Sequence, residues 1–177
     1  IWNTNFLGCG ALSIAPYHQR LARLPTYLQQ LEMESNGKRV SIDGQSLDYA
    51  TCPILFGEPG TNGQHAYFQL LHQGTQPVPV DFIAVAADDS GLPGHNEALL
   101  ANCFAQSQAL AFGKTPDEAR AEMPSQPDLA PHRAFPGDRP SNTLLLDRLT
   151  PERLGALIAL YEHKVFVQGV IWGVNSF

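Results

Sequence analysis

Short apolar runs alternate along this chain with longer segments in which apolar residues recur at helical spacing. The runs that indicate strands are residues 10–15, 53–56, 78–87 and 143–146. The helical patterns are one that ends at Gly37, one that ends at Gly74, one over residues 95–112, a short one from Pro116 and a final one from Pro151. Strands that are apolar on both faces are typical of a parallel sheet covered by helices. We therefore predict an α/β fold, a three-layer α-β-α sandwich with a mostly parallel sheet.

Proline and threonine mark several of the predicted boundaries. Pro25 lies inside the first helical pattern, where a proline costs about 3 kcal/mol, so we expect a kink or a later helix start. Thr115 before Pro116, like Thr150 before the final helix, is typical of a cap followed by the first helical residue. Two segments lack periodicity. Residues 38–47 predict a polar loop or hairpin, and the proline-rich residues 123–140 predict an irregular excursion over the surface.

Composition narrows the class of protein. The chain has 177 residues, 44% of them hydrophobic, and a net charge of -6 without a long run of like charge, which fits one globular domain. Basic patches with interleaved aromatic residues are absent, so we expect no nucleic-acid partner. No unbroken apolar run reaches the roughly 18 to 20 residues of a spanning helix, and no basic n-region with a cleavage site lies near Ile1, so we expect neither a membrane partner nor a signal peptide.

Cysteine and histidine positions argue against disulfides and metals. Cys9, Cys52 and Cys103 are odd in number and far apart, which favours reduced thiols and a cytoplasmic location over a disulfide framework. The six histidines show no ligand spacing, and no pair of cysteines accompanies them. We therefore predict that the chain has no metal site.

The segment 29–38 places a carboxylate at a predicted helix end. Glu34 is followed by Ser-Asn-Gly, a combination that ends a helix. A carboxylate at such a position can transfer protons when partial burial raises its pKa, although the pattern by itself favours a solvated helix end. Glu32 lies two residues earlier and points elsewhere around the helix, so the two acids need not act together.

A glycine-rich turn follows the second predicted strand. Residues 57–63 read Gly-Glu-Pro-Gly-Thr-Asn-Gly; backbone N–H groups in such a turn can face an anion, or the glycines can serve only a tight turn at positive φ. The spacing matches no nucleotide-binding fingerprint. His65 is expected at the start of the next helix, where the dipole favours a neutral imidazole that relays protons. A buried, hydrogen-bonded histidine is the alternative.

Two further groups carry weaker signals. Residues 161–164 read Tyr-Glu-His-Lys, and consecutive positions fan out around a helix, so we expect a solvated or interface face there. Arg133 and Arg139 lie in the predicted excursion and are candidates to bind a phosphate, but arginines in loops are common.

The ordered motifs of the chain closely resemble the second half of glucose-6-phosphate isomerase (phosphoglucose isomerase), a family of sugar-phosphate isomerases. The resemblance extends over nearly the whole chain. The matching blocks include residues 33–38, 57–65, 72–75, 105–106, 109–110, 113–114, 139–140, 154–157, 161–164 and 172–177. It implies a single C-terminal sugar-isomerase domain of the SIS type over residues 1–177, part of a larger enzyme and apparently truncated at both ends.

The resemblance also implies an activity. The family interconverts glucose 6-phosphate and fructose 6-phosphate, in glycolysis and gluconeogenesis, without a cofactor and through a cis-enediol. Glu34 matches its catalytic base, and Gln30 matches a substrate-binding glutamine one helical turn earlier. His65 matches the catalytic histidine that opens the sugar ring, which in the family's homodimer reaches the site of the neighbouring subunit.

Three blocks of the family lie outside residues 1–177. They are the ring-opening lysine block expected after Phe177, and a Ser/Thr phosphate loop and a Gly-Gly-Arg-Tyr-Ser block expected before Ile1. We therefore expect these residues alone to be inactive. The alternatives are a non-catalytic sugar-phosphate-binding module of the same fold and a purely structural or dimerisation domain.

Overall fold

The computed structural model describes residues 1–87 and 91–176, so Phe177, the end of the last matching block, lies outside the described residues. Within them, four strands form one sheet with the order β2-β1-β3-β4. They are β1 (Ala11–Pro16), β2 (Ile54–Gly57), β3 (Val80–Ala87) and β4 (Ser141–Arg148). Every neighbouring pair is parallel, which confirms the predicted fold class. β3 is buried from Val80 to Val85, as its nearly unbroken apolar sequence requires.

Helices cover both faces of this sheet. They are α1 (Leu24–Asn36), α2 (Gly60–Ala66), α3 (Phe68–Gln73), α4 (His95–Phe112), α5 (Pro116–Glu122), α6 (Ala130–Arg133) and α7 (Pro151–Trp172). On one face, Leu28 of α1 and Leu157 of α7 pack with Ile83 in one apolar cluster. On the other, Phe68 of α3 and Leu110 of α4 pack with residues of β1 and β3 in a second cluster. The sheet therefore separates α1 and α7 from α3 and α4.

Most predicted boundaries agree with the structure to within a few residues. Pro25 lies in the first turn of α1, so the later helix start is confirmed. Thr115 caps α5 in a reciprocal capping box with Glu118, and the hydroxyl of Thr150 caps α7. The ends of α4 are those that the pattern predicts, at residues 95 and 112.

One prediction of local structure was wrong, and a second was right only in part. The expected helix up to Gly74 is two helices, α2 and α3, which meet at Tyr67, where φ is -143° and the helical path is broken. The segment 123–140 is not wholly irregular, because it contains a 3₁₀ turn (Pro127–Leu129) and α6. Most of its residues are exposed, as expected of a surface segment. Its end packs closely against the end of α4: Gly113 and Gly137 both have positive φ, and a Cβ at either would meet the other's backbone within 2.6 Å.

Among the described residues, α7 is the one helix whose length and composition would suffice to span a membrane, with a mean hydropathy of 1.3. Its buried positions Leu157, Tyr161 and Val165 face the protein, whereas Phe166 and Val170 are exposed. A helix that covers a sheet passes the same hydropathy test, so the observation favours neither location.

Candidate active site

Gln30 and Glu34 lie one turn apart on the same exposed face of α1. Residues four positions apart on a helix are neighbours, about 5 to 6 Å between Cβ atoms. An amide and a carboxylate are thereby presented together to solvent at the C-terminal end of α1. The structure thus brings these two predicted site residues together.

This end of α1 lies beside the first residues of β2. The Cys52 thiol, just before β2, donates to the Glu32 carbonyl at 3.5 Å, and the Leu55 N–H lies 3.4 Å from Met33 Sδ. Because the strands are parallel, Glu34 is at the edge of the sheet where strands begin. Many α/β proteins bind ligands at the opposite edge, outside the carboxyl ends of the strands.

Glu32 points into the protein, opposite to Glu34. Its side chain is 1% exposed, and Oε2 accepts a 2.9 Å hydrogen bond from Lys164 Nζ of α7 in a salt bridge. Glu32 and Lys164 both line a cavity of about 400 Å³ at the edge of the sheet where the strands begin. The prediction that Glu32 and Glu34 point in different directions is confirmed.

A second polar group lies in the same cavity, at the start of β3. Asp81 accepts hydrogen bonds from Asn142 Nδ2 at 2.9 Å and from the Tyr161 hydroxyl at 3.1 Å. Burial, followed by the negative charge of Asp81, raises the pKa of Tyr161, so this hydroxyl stays protonated and donates. The predicted solvated or interface face at residues 161–164 is wrong for Tyr161 and Lys164, which face inward; Glu162 and His163 are exposed.

His65 lies on the other side of the sheet. It is exposed, in the last turn of α2 rather than at a helix start, so the expectation based on the N-terminal dipole was wrong. The buried alternative was also wrong. Gly60 packs α2 against Tyr17, which belongs to the same apolar cluster as α3 and α4. Gln30 and Glu34 belong to the layer on the opposite face. The structure does not bring His65 to them within one chain.

Close packing accounts for the glycine-rich turn. A Cβ at Gly57 would lie 2.0 Å from the Ile14 carbonyl oxygen, and one at Gly60 would lie 2.0 Å from the Tyr17 ring. Neither glycine has positive φ, so that part of the expectation was wrong. The backbone at Gly57 lies against β1 and the backbone at Gly60 lies against the Tyr17 ring, so no side chain fits at either position. This packing explains both glycines without a bound anion.

The two candidate phosphate-binding arginines differ in their surroundings. Arg139 is half-buried and donates from Nη2 to the Gly74 carbonyl at 2.6 Å, which ties the segment before β4 to the end of α3. This gives Arg139 a structural role. Arg133 is exposed at the end of α6.

Comparison with known proteins identifies the family of this chain. A model of the family described as phosphoglucose isomerase matches residues 1–177. The chain belongs to the phosphoglucose isomerase family. Its relatives include glucose-6-phosphate isomerases from Leptothrix cholodnii, 58% identical, and from Burkholderia pseudomallei, 60% identical, both matched over 100% of this chain. These matches cover 36% and 33% of the relatives, so the chain spans about a third of their length.

A solved structure of a glucose-6-phosphate isomerase agrees with this assignment to the phosphoglucose isomerase family. The crystal structure of a glucose-6-phosphate isomerase from Chlamydia trachomatis is 41% identical and superimposes with a TM-score of 0.88 over 99% of this chain and 33% of that one. A hypothetical protein from Thermus thermophilus, 21% identical, has a TM-score of 0.67 over 96% of this chain and 38% of that one. At that identity the second likeness concerns the fold alone.

Sequence reasoning did not find the inward-facing polar residues. Glu32, Asp81 and Lys164 line the same cavity but belong to three elements, and each is at least 49 positions from the other two along the chain. One local signal pointed to Glu32: it continues the i, i+4 series of Leu24 and Leu28, which is the buried stripe of α1.

Proposed function

We propose that residues 1–177 form the C-terminal sugar-isomerase domain of a glucose-6-phosphate isomerase that interconverts glucose 6-phosphate and fructose 6-phosphate. The observation that carries this proposal is the exposed pair Gln30 and Glu34 on one face of α1, in a chain that matches the phosphoglucose isomerase family along its whole length. The relatives at 55 to 60% identity are also named glucose-6-phosphate isomerases. In this proposal the enzyme acts in glycolysis and gluconeogenesis, in the cytoplasm.

Glu34 is the proposed general base. Its carboxylate removes the proton from C2 of the open-chain aldose, the C–H electron pair forms the C1–C2 double bond, and the C1 carbonyl oxygen gains a proton. The resulting cis-enediol then takes the proton from Glu34 at C1, while the C2 hydroxyl loses its proton and becomes the ketose carbonyl. Gln30, one turn earlier, holds the substrate oxygen atoms. The steps balance without a cofactor or a metal.

His65 is proposed to open the sugar ring in the site of a neighbouring subunit. The support is its position: it is exposed, and it lies on the layer opposite to Glu34. A homodimer lets each subunit supply Glu34 to its own site and His65 to its partner's site.

The decisive experiment replaces Glu34 by Gln in the full-length enzyme. The change keeps the size and hydrogen-bonding capacity of the side chain and removes the base, so we expect turnover to fall by several orders of magnitude while fructose 6-phosphate still binds in calorimetry. The matched control is Glu152→Gln, at an exposed glutamate in the first turn of α7, which should retain near-normal turnover. Near-normal turnover of Glu34→Gln would contradict the assignment.

Residues 1–177 alone are proposed to lack turnover. The lysine and phosphate-binding blocks that the resemblance implies lie outside them. An isomerase assay on this chain checks the proposal, since measurable turnover would mean that the residues described above suffice. Calorimetry with fructose 6-phosphate separates a chain that still binds from one that does not.

A further inference from the structure

The buried face of α1 is a stripe of four residues with two different halves. Leu24 and Leu28 in the first half are apolar, and Glu32 and Asn36 in the second half are polar, yet all four are buried. They recur every four residues and so lie one above the other along the helix. Glu32 and Asn36 therefore occupy positions at which apolar residues would continue the packing of Leu24 and Leu28.

Each polar residue of the stripe is bonded to α7. Glu32 pairs with Lys164 Nζ at 2.9 Å, and Asn36 Nδ2 donates to the Val165 carbonyl at 2.8 Å. The ammonium group of Lys164 also lies 5.6 Å from the ring centroid of Tyr161. Apolar packing is non-directional, whereas these bonds have fixed lengths and angles. They define the rotation of the last two turns of α1 about its own axis.

The rotation of α1 decides where Glu34 points. An α-helix turns about 100° per residue, so Gln30 and Glu34 each lie about 160° from Glu32 around the axis. Fixing Glu32 inward therefore turns both proposed site residues outward. A rotation of roughly 20° would move a carboxylate roughly 7 Å from the axis by roughly 2 Å, and displacement of about 1 Å in a catalytic group can cost about a hundredfold in rate.

We propose that the Glu32–Lys164 ion pair positions Glu34 for proton transfer. The inference rests on the proposed function, because it assumes that Glu34 is the base. Glu32 itself acts as a positioning residue: it is 1% exposed and faces away from Glu34. The pair holds the end of α1 against α7 so that Gln30 and Glu34 keep one orientation.

The first test uses Glu32→Gln in the full-length enzyme, with Glu32→Asp as the conservative variant. The amide loses the charge that attracts Lys164, so we expect kcat to fall about 10- to 100-fold with KM changed less than about threefold. The aspartate keeps the charge, and the flexible lysine stem can follow it, so kcat should recover to within a few-fold. Glu122→Gln, which breaks the exposed Lys114–Glu122 pair, is the matched control and should leave kcat unchanged.

A double variant separates positioning from stability. Replacing a buried ion pair by apolar residues of similar volume is often neutral or stabilising, so Glu32→Met/Lys164→Met should fold with an unchanged or higher midpoint of thermal unfolding. We expect its kcat to be at least about tenfold lower, because the directional bond is gone. A kcat per folded molecule within twofold of the unsubstituted enzyme would overturn the proposal, and this variant decides the matter if Glu32→Gln does not fold.

The kinetic isotope effect with glucose 6-phosphate deuterated at C2 gives a readout that loss of folded protein cannot move. Misplacement of the base slows proton transfer, so the isotope effect on kcat in the Glu32 variants should equal or exceed that of the unsubstituted enzyme. A smaller isotope effect alongside a reduced kcat would count against positioning. Glu34→Gln is measured in parallel. If Glu34→Gln keeps its turnover, the proposed function fails. If Glu34→Gln loses its turnover and Glu32→Met/Lys164→Met keeps full activity, the positioning role alone is refuted.

Discussion

The Tyr161 hydroxyl donates a hydrogen bond to Asp81 Oδ2 at 3.1 Å and so joins α7 to the buried strand β3. Asn142 Nδ2 donates to the other oxygen of the same carboxylate. The one charged side chain of β3 therefore has a donor on each of its oxygens, one from the neighbouring strand β4 and one from α7.

Removing the Tyr161 hydroxyl should destabilise the protein. Tyr161→Phe keeps the ring and leaves one buried carboxylate oxygen of Asp81 without a donor, at a cost of about 1 to 3 kcal/mol. Tyr27→Phe is the matched control, because the Tyr27 hydroxyl donates to Glu162 at 2.8 Å at an exposed site; it should change stability by about 0.5 kcal/mol or less. Urea unfolding measures both, and equal effects would contradict the argument.

Two glycines should respond to alanine in opposite directions. At Gly60 an added Cβ would lie 2.0 Å from a Tyr17 ring carbon, whereas a Cβ at Gly155 of α7 would have no atom of the described residues within 4 Å beyond its chain neighbours and the adjacent helix backbone. Gly60→Ala should therefore lower the free energy of unfolding by overpacking, by about 1 to 3 kcal/mol. Gly155→Ala should raise it by about 0.5 to 1 kcal/mol through helix propensity. A stabilising Gly60→Ala would show that Tyr17 moves aside without cost.

The thiol of Cys52 should react slowly in the folded protein. Burial, followed by the charge of Glu32, raises the pKa of Cys52 to about 12 from a usual value of 9.0. Iodoacetamide attacks the thiolate, so at pH 8 alkylation of the native chain should be about a thousandfold slower than in urea. The native rate should keep rising towards pH 12, where the unfolded rate has levelled off. Peptide mapping after timed quenching measures both rates, and equal rates at pH 8 would contradict the assignment.

The raised pKa of Cys52 also makes the stability of the folded protein depend on pH. The folded pKa of Cys52 is the higher one, so between about pH 9 and pH 12 the unfolded chain loses a proton that the folded chain retains. The contribution of this thiol to stability is therefore complete below about pH 9 and is lost as the pH rises through that window.

Subunit exchange tests whether His65 acts across a dimer. Mixing full-length Glu34→Gln with His65→Ala creates heterodimers in which one site combines an intact Glu34 with an intact His65 from its partner. Random mixing should restore about a quarter of normal activity from two variants that are each far less active. If the mixture is no more active than the mean of its parts, His65 serves its own subunit or neither.

The sequence predicted elements best where their signals are local. Gly113 and the cap at Thr115 identify the end of α4 and the start of α5 within a few residues of chain. The break at Tyr67 could not be predicted in this way, because the apolar pattern continues across it. The Tyr67 ring lies 5.1 Å, edge to face, from Phe56 of β2, and this tertiary contact accompanies the break in the helical path.

In the candidate site, too, only the features that depend on residues close together in the sequence could be predicted. Helical periodicity places Gln30 beside Glu34 and turns Glu32 away from both. The series Leu24, Leu28 and Glu32 indicates the buried face, but it does not identify the partner of the Glu32 carboxylate, because Lys164 lies 132 positions after Glu32 along the chain. The placement of His65 on the opposite layer depends in the same way on the order of the strands, which no single segment contains.

The two halves of the buried α1 stripe differ in how well they tolerate substitution. Leu24 and Leu28 make contacts that other apolar side chains of similar volume can reproduce one at a time. Glu32 and Asn36 each need a specific hydrogen-bonding partner on α7. A substitution at either position therefore requires a matching change on α7. A designer grafting α1 into another scaffold would therefore have to carry the segment around Lys164 with it.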